Sequence, residues 1–415
     1  MRKKALRVLY LHQYFVAPSG AGGTRSFEFA RRLVARGHRV TIVTSTAYVR
    51  ATDVNPQSWG IDDPDLLKVS LINVPYSNRM KYARRLRAFA TFAALASLRA
   101  SRLPADVVFA TSTPLTIALP GVVAKRRLRA PMVFEVRDLW PEIPIAVGAL
   151  RNPISIWLAR RLERFAYRNA DEIVALSPGM KEGVIRAGVA EERVTVIPNG
   201  CDLALFGNVP TDGSVRQRLP EWARSWPLVV YTGAFGKING LGYMVDLAAA
   251  VQQMQRAVAF LLVGDGVERE SLERRARLCG VLDRNLWIWP PIPKKDVPQL
   301  LAAADLCTSI VIPLRVLEDN SANKFFDALA AGKPVAINHG GWLADLLRST
   351  GAGLVLPPDD IPTAARQVVD FVSDPAKLAA AGAAARRLAV ERFDRERLTD
   401  ELEGVLLRAA LRRMG

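Results

Sequence analysis

Residues 319–335, DNSANKFFDALAAGKPV, bring together two carboxylates, Asp319 and Asp327, an Asn323-Lys324 pair between them and a Gly-Lys-Pro turn behind. Phe325, Phe326, Leu329 and Ala330 recur at helical spacing, which predicts a helix carrying Asn323, Lys324 and Asp327, with Asp319 in the loop before it. Free amide N–H groups and the positive dipole end at such a start favour a diphosphate. Lys324 adds a point charge for the same group, and carboxylates accept hydrogen bonds from ribose or hexose hydroxyls. The combination suits a sugar nucleotide; the plainer alternative is a solvated helix start with capping acids.

Four further segments offer related groups. In residues 232–240, TGAFGKING, Gly233 and Gly236 leave room for phosphates and Lys237 supplies charge. Residues 262–266, LVGDG, place Gly264, Asp265 and Gly266 in a turn after an apolar run. In residues 19–25, SGAGGTR, Gly22 and Gly23 allow close backbone approach, and Thr24 with Arg25 opens a helix whose free N–H groups can face a diphosphate; a simple strand-to-helix turn is the alternative. Residues 135–142, EVRDLWPE, follow an apolar strand and present Arg137, Asp138 and Glu142 where side chains can point into a cleft, with Arg137 suited to a phosphate, a sugar carboxylate or an acetamide, or to an ion pair with Asp138.

Metal and redox chemistry find little support. His12, His38 and His339 lie far apart without metal-ligand spacing, so neither a zinc site nor a Ser-His-Asp triad is expected. The acidic run at Asp62, Asp63 and Asp65 contains a DxD pattern but sits in a Trp-Gly loop and reads as solvent-facing. No GxGxxG follows the first strand, which counts against a dinucleotide cofactor. Helix starts and a lysine can hold a diphosphate electrostatically, so no metal and no cofactor is expected.

These loops must be positioned by sheets. Apolar runs alternate with helical patterns at 7–15, 38–45, 69–75, 106–111, 131–136, 172–176 and 194–197, and again at 227–232, 257–263, 286–289, 306–312, 334–337 and 353–356. Strands alternating with helices imply parallel sheets covered on both faces, and ligands of such sheets sit at the carboxyl ends of the strands. The 415 residues suit two domains of roughly 200 residues each. Residues 201–226, with Pro210, Gly213 and Pro220 and little periodicity, read as the linker.

Of the net charge of +17, residues 1–205 hold 31 Lys and Arg against 16 Asp and Glu, so the basic excess lies almost wholly in the first half. Such a surface suits phosphorylated substrates, nucleic acid or an anionic leaflet. Residues 79–103 mix arginines with Phe89, Phe92, Leu95 and Leu98 and fit either an interfacial helix or one packed on its own core. Residues 107–124 are uncharged, but Pro114, Pro120 and several hydroxyl side chains argue for strand, loop and short helix over a membrane span. The basic start with a short, polar-interrupted apolar run reads as a first strand. Cys201, Cys279 and Cys307 share no metal spacing and point to a reducing compartment.

Residues 319–335 resemble the signature of retaining glycosyltransferases of family four, in which two glutamates separated by seven residues precede an Ala-x-x-Gly-x-Pro-Val turn; here Asp319 and Asp327 stand at the glutamate positions. NKFFDALAAGKPV is similar to the WbuB-like N-acetyl-fucosaminyl transferase branch. The resemblance implies a GT-B fold, an α/β architecture of two Rossmann-like parallel-sheet domains facing across a cleft. Residues 1–205 would bind the acceptor, 206–390 the nucleotide sugar, and a helix in 391–415 would pack back on the first domain.

It further implies transfer with retention from a nucleoside-diphosphate sugar, UDP by branch, to a lipid-linked (polyprenyl diphosphate) or glycan acceptor in bacterial surface polysaccharide synthesis. Asp319 would hold the transferred sugar, Asp327 the ribose and the 264–266 turn the region of the base, with Asp138 and Glu142 on the acceptor side. The enzyme would be cytoplasmic and peripheral on the inner face of the cytoplasmic membrane, touching the anionic surface through 79–103, with no nucleic-acid partner. The chain departs from the family where an arginine and a lysine usually bind phosphate, at Ala234 and Asn239, and where a histidine is usual, at Arg137; Lys324, aided by Lys237, is expected to replace the missing phosphate cations. A nonhydrolysing UDP-sugar epimerase of GT-B fold and a basic membrane- or nucleic-acid-binding protein are the alternatives.

Overall fold

The computed structural model describes residues 5–17, 20, 23–49, 51–61, 63–76, 80–207 and 209–412. The chain divides into two compact units, Met1–Pro198 with Arg395–Gly415, and Asn199–Asp394. In the first unit the elements run β1 (Arg7–Leu11), α1 (Arg25–Ala35), β2 (Arg39–Ser45), β3 (Leu67–Ile72), α2 (Tyr82–Ala100), β4 (Val107–Thr111), α3 (Ala118–Leu128), β5 (Met132–Val136), α4 (Glu142–Ala146), α5 (Pro153–Asn169), β6 (Glu172–Ala175), α6 (Pro178–Arg186) and β7 (Val194–Val196). The strands form one parallel sheet in the order β3-β2-β1-β4-β5-β6-β7.

Side-chain parity explains why these strands read as continuous apolar runs. Leu9 and Leu11 of β1, with Val108 and Ala110 of β4, pack on one face against α2, α3, α5 and α6. Val8, Tyr10, Val107 and Phe109 pack on the other. Both faces are covered, so alternation with polar residues is absent. The first apolar run ends earlier than expected: Gln13 turns out of the sheet and its carbonyl accepts from Thr44 Oγ1 and Ser45 Oγ.

The second unit runs α7 (Leu203–Phe206), α8 (Ser214–Gln217), β8 (Leu228–Thr232), α9 (Gly242–Gln253), β9 (Ala259–Val263), α10 (Arg269–Leu278), β10 (Leu286–Trp289), α11 (Val297–Ala303), β11 (Leu306–Ser309), α12 (Asn323–Ala330), β12 (Val335–Ile337), α13 (Trp342–Thr350), β13 (Gly353–Val355), α14 (Ile361–Val372) and α15 (Pro375–Arg392). Its parallel sheet has the order β10-β9-β8-β11-β12-β13. The chain passes between units at Pro198 and Asn199, ahead of the residues 201–226 expected to link them. That stretch contains α7 and α8, too short to show a period, and buries Phe206, Val215, Leu219 and Ala223 in the core of the second unit.

The last helix, α16 (Arg395–Leu411), belongs to the first unit. Leu398, Leu402, Val405 and Leu406 fill the face of the sheet that α1 leaves open. Arg32 of α1 and Arg36 just past its end bind Glu396, Arg36 also meets Asp400 and Glu403, and the buried His38 meets Glu403 at 3.1 Å.

Within α2, Phe92 is buried and Phe89 stacks on Tyr76 with ring centroids 5.7 Å apart, so these two aromatics follow the core-packed alternative. Leu95 and Leu98 are exposed, together with Leu86; Arg79 lies outside the described residues. No helix of the described residues is long and apolar enough to cross a membrane. Leu402 is wholly buried. Leu402→Ala is therefore expected to destabilise the first unit by about 2–5 kcal/mol, read as an earlier transition in urea unfolding followed by circular dichroism. An unchanged transition would show that α16 is not part of that core.

Candidate active site

In each sheet the strand order reverses once, between β1 and β4 and between β8 and β11. Loops at the carboxyl ends of strands diverge at such a point and leave a natural ligand site. In the second unit, Lys324 in the first turn of α12 lies there. Its ammonium donates to Tyr231 Oη at 2.8 Å and Asn239 Oδ1 at 2.9 Å, and lies 4.4 Å from the centroid of the Tyr231 ring. Tyr231 Oη and Asn239 Nδ2 each donate to the Ala234 carbonyl at 2.9 Å. Asn239, where the family carries a phosphate lysine, thus holds the ammonium supplied by α12.

Both hydrogen-bond acceptors of Lys324 are neutral, and burial pushes its pKa down to about 7. An anion beside Gly233 would restore the charged form. Lys237, by contrast, is exposed at the start of its turn.

The glycines divide into two kinds. Gly233 has φ +144, and a Cβ there would meet Lys324 Cε at 3.3 Å, so its bareness keeps the lysine's approach open. Gly264 and Gly266 serve loop packing instead: a Cβ on Gly264 would fall 1.9 Å from the Gly233 carbonyl oxygen, and one on Gly266 would fall 2.4 Å from that of Phe235. Gly233 N–H donates to Val263 and Phe235 N–H to Asp265. The space beside Gly264 and Gly266 is filled by the neighbouring loop, so their lack of a side chain is required by packing of the turn expected near the base. Gly236 meets only Asn239 Nδ2, at 3.6 Å.

Asp319 lies half-buried in the loop before α12, a loop fixed on both sides. Trp342 Nε1 donates to the Asn320 carbonyl at 3.1 Å, Asn199 N–H donates to Ser321 Oγ at 3.1 Å and Asn199 Nδ2 donates to the Ser321 carbonyl. Gly341, at φ +81, lets the next loop press against Glu318. Asn323 is half-buried at the first position of α12. Asp327 is 6% exposed and its Oδ2 accepts from Lys294 Nζ at 2.7 Å, with that ammonium 4.7 Å from the Phe206 ring. Lys294 thus occupies one oxygen of the carboxylate expected to accept from a ribose.

The first unit gathers His12, Arg137 and Asp138 at its own reversal point. Arg137 Nη1 lies 3.3 Å from His12 Nε2, its N–H donates to Ser112 Oγ, and Asp138 accepts from Thr113 Oγ1 at 3.1 Å. Burial, then the Arg137 cation, holds His12 well below the usual imidazole value, which keeps the ring neutral. Arg137 and Asp138 therefore have different partners in place of the mutual ion pair weighed as an alternative.

Arg25 turns inward. It is 4% exposed, pairs with the wholly buried Glu135 at 2.9 Å and donates to the carbonyls of Ile197 and Pro198. Thr24 is buried and accepts from Arg395. The Arg25 guanidinium is thus committed within the fold, whereas the reading of 19–25 rests on backbone N–H groups at the start of α1, which these contacts leave as they were; Gly23 remains half-buried and Gly22 lies outside the described residues. Glu142 stands apart, on α4 facing Arg160 at 3.9 Å.

Residues 20–200 match the glycosyl transferase 4-like domain and residues 226–374 match glycosyl transferases group 1. The chain is a GT-B glycosyltransferase. It is 25% identical over 312 residues to the probable glycosyltransferase WbjE of Pseudomonas aeruginosa, covering 72% of this chain and 74% of that one. It is 26% identical to the 2-deoxystreptamine glucosyltransferase of Streptomyces kanamyceticus, again covering 72% and 74%. Anabaena HepE, crystallised with UDP and glucose, superposes with a TM-score of 0.70 at 21% identity over 97% of this chain and 99% of that one, which establishes likeness of fold. The epimerase and binding-protein alternatives give way to a transferase.

Tyr231, Lys294 and the His12–Arg137 contact were not anticipated as parts of the glycosyltransferase's site. Tyr231 reads as an ordinary strand aromatic, and Lys294 lies 33 positions from the carboxylate it meets, a separation no local pattern reveals. A lysine whose folded value is about 7 and whose unfolded value is 10.5 destabilises the fold in full below pH 7, and the penalty fades as pH rises towards 10.5. The stability of the glycosyltransferase relative to Lys324→Met is therefore expected to rise between pH 7 and 10, measured by thermal unfolding of both proteins. A constant difference would show that Lys324 titrates normally.

Proposed function

We propose that this glycosyltransferase transfers a sugar from a UDP-linked donor to a lipid-linked or glycan acceptor in bacterial surface polysaccharide synthesis, with retention and without a metal. The observation that carries the reading is Lys324, an ammonium between neutral partners at the carboxyl edge of the second sheet, beside Gly233 and the first turn of α12. As the glycosidic bond breaks, negative charge develops on the departing diphosphate, and a preorganised cation with helix-start amides stabilises that charge most where water is scarce. Asp319 accepts from a hydroxyl of the transferred sugar, and the Asp327–Lys294 pair holds α12 in register beside the nucleoside.

On the acceptor side, Arg137, kept apart from Asp138 by its contact with neutral His12, faces a phosphate or a polar substituent of the acceptor, and Asp138 accepts from a sugar hydroxyl. HepE, which binds UDP and glucose, supports the choice of donor. The NKFFDALAAGKPV motif, through the branch it resembles, supports surface polysaccharide synthesis and an N-acetylated deoxyhexosamine as the transferred sugar. A peripheral place on the inner face of the cytoplasmic membrane follows from an acceptor of that kind, with residues 79–103 touching the surface through Leu86, Leu95 and Leu98.

A bound diphosphate raises the Lys324 pKa, so UDP binding above pH 7 takes up protons and weakens by up to about tenfold per pH unit. Calorimetry in buffers of different ionisation enthalpy is expected to show that uptake at pH 8.5, and Lys324→Met is expected to abolish it while lowering UDP affinity by roughly 10–100-fold. UDP binding by Lys324→Met with wild-type affinity would refute the assignment. GDP bound in preference to UDP would overturn the choice of base.

A further inference from the structure

The helices on the two faces of the first sheet carry very different charge. On one face α2, α3 and α5 lie side by side and together hold eleven basic residues and one acid, Glu163, which is buried. On the other face α16 alone carries four acids, of which Glu396, Asp400 and Glu403 meet Arg36 at the end of α1. The basic layer, whose one acid is the buried Glu163, also exposes large apolar side chains: Leu86, Leu95 and Leu98 on α2, Leu119 and Val123 on α3, and on α5 Ile154, Trp157 and Leu158 at 70%, 52% and 53% exposure. On α1 and α16, among the described residues, Leu411 is the one exposed large apolar side chain.

Arginines interleaved with exposed aliphatic and aromatic groups suit an anionic bilayer, whose surface attracts the cations while its acyl boundary accepts the apolar groups. A nucleic acid would satisfy the arginines and leave Ile154 and Leu158 in water. At the edge of this layer a pocket of about 670 Å³ opens between α4, α5 and α6. Pro153, Ile156 and Trp157 form an apolar wall, and Arg160, Arg164 and Arg186 line the pocket alongside them. Arg161 lies over the Trp157 ring at 5.4 Å, placing a further cation beside the exposed indole. At the floor, burial and then Glu142 push Glu163 up to about 7, so near neutrality this carboxyl is only partly charged.

We propose that the α4–α5–α6 pocket binds the phosphate headgroup of an anionic membrane lipid, held by Arg160, Arg164 and Arg186, while Ile154, Trp157 and Leu158 enter the acyl boundary. The site is distinct from the donor site of the second unit and stands on surface chemistry independent of the donor's identity. It makes α5 the principal anchor, with α2 and α3 lying along the surface.

Vesicle co-sedimentation of the full chain tests this, with phosphatidylcholine vesicles alone and with about one-third phosphatidylglycerol. The wild type is expected to pellet with the anionic vesicles and not with the neutral ones, and millimolar inorganic phosphate is expected to leave it bound, because the apolar contacts persist. Trp157→Ser with Leu158→Ser, and separately Arg160→Gln with Arg164→Gln, are each expected to weaken binding roughly tenfold or more. UDP-induced thermal stabilisation reports folding of both variants, and its loss in all three proteins would count against the donor reading alone. Unaltered vesicle binding in both variants would overturn the proposal. So would loss in the arginine variant alone coupled with displacement of the wild type by single-stranded RNA, which would mark a polyanion surface; displacement by inorganic phosphate would reduce the pocket to a free-phosphate site.

Discussion

A lysine ammonium between neutral partners is the constraint around which the carboxyl edge of the second unit is arranged. Lys324 projects from α12 and is met by a phenol oxygen and an amide oxygen. Those dipoles orient the ammonium without neutralising it, so burial keeps a standing preference for an anion. Had an aspartate stood at Tyr231 or Asn239, the cation would be spent within the protein. For the proposed nucleoside-diphosphate donor, an unspent cation is the useful arrangement, and its cost is the lowered pKa.

That arrangement depends on backbone positions with almost no latitude. The loops after β8 and β9 meet main chain to main chain, at a distance that excludes even a methyl group on Gly264. Asn338 holds the segment after β11 by exchanging hydrogen bonds with both backbone groups of Val311, and Ile312 N–H donates to Ile238. Lys324 and Gly233 are thereby related through the sheet, with no flexible connection between them. The first unit applies the same economy differently: the Arg25–Glu135 pair, wholly buried, ties the start of α1 to β5 and to the carbonyls that end the unit at Ile197 and Pro198. A buried pair of this kind is costly to break on one side, so it specifies the loop geometry more than it adds stability.

Charge separates the units by role. The second is nearly balanced outside its site, while the first concentrates its excess on one helical layer whose opposite layer is internally paired. A basic excess distributed over a whole surface would serve solubility; concentrated on one layer whose single acid is buried, beside exposed leucines and a tryptophan, it creates a plane with a preferred partner.

The strands, their parallel order of alternation with helices and the doubly covered sheets were legible because burial on both faces leaves continuous apolar runs whatever the topology. α12 and Lys324 were legible for a similar reason, since helical spacing and a helix start are local properties. What local pattern does not contain is which groups meet across the sheet. The glycines of 264–266 and Arg25 look alike in sequence to ligand-binding residues, and the tertiary structure spends them on loop packing and a buried ion pair. Asp327 met Lys294, Lys324 met Asn239, and Arg137 met His12 only when strands distant in the chain became neighbours. Hydrophobic periodicity is written residue by residue, whereas the state of a charge is decided by what surrounds it after folding.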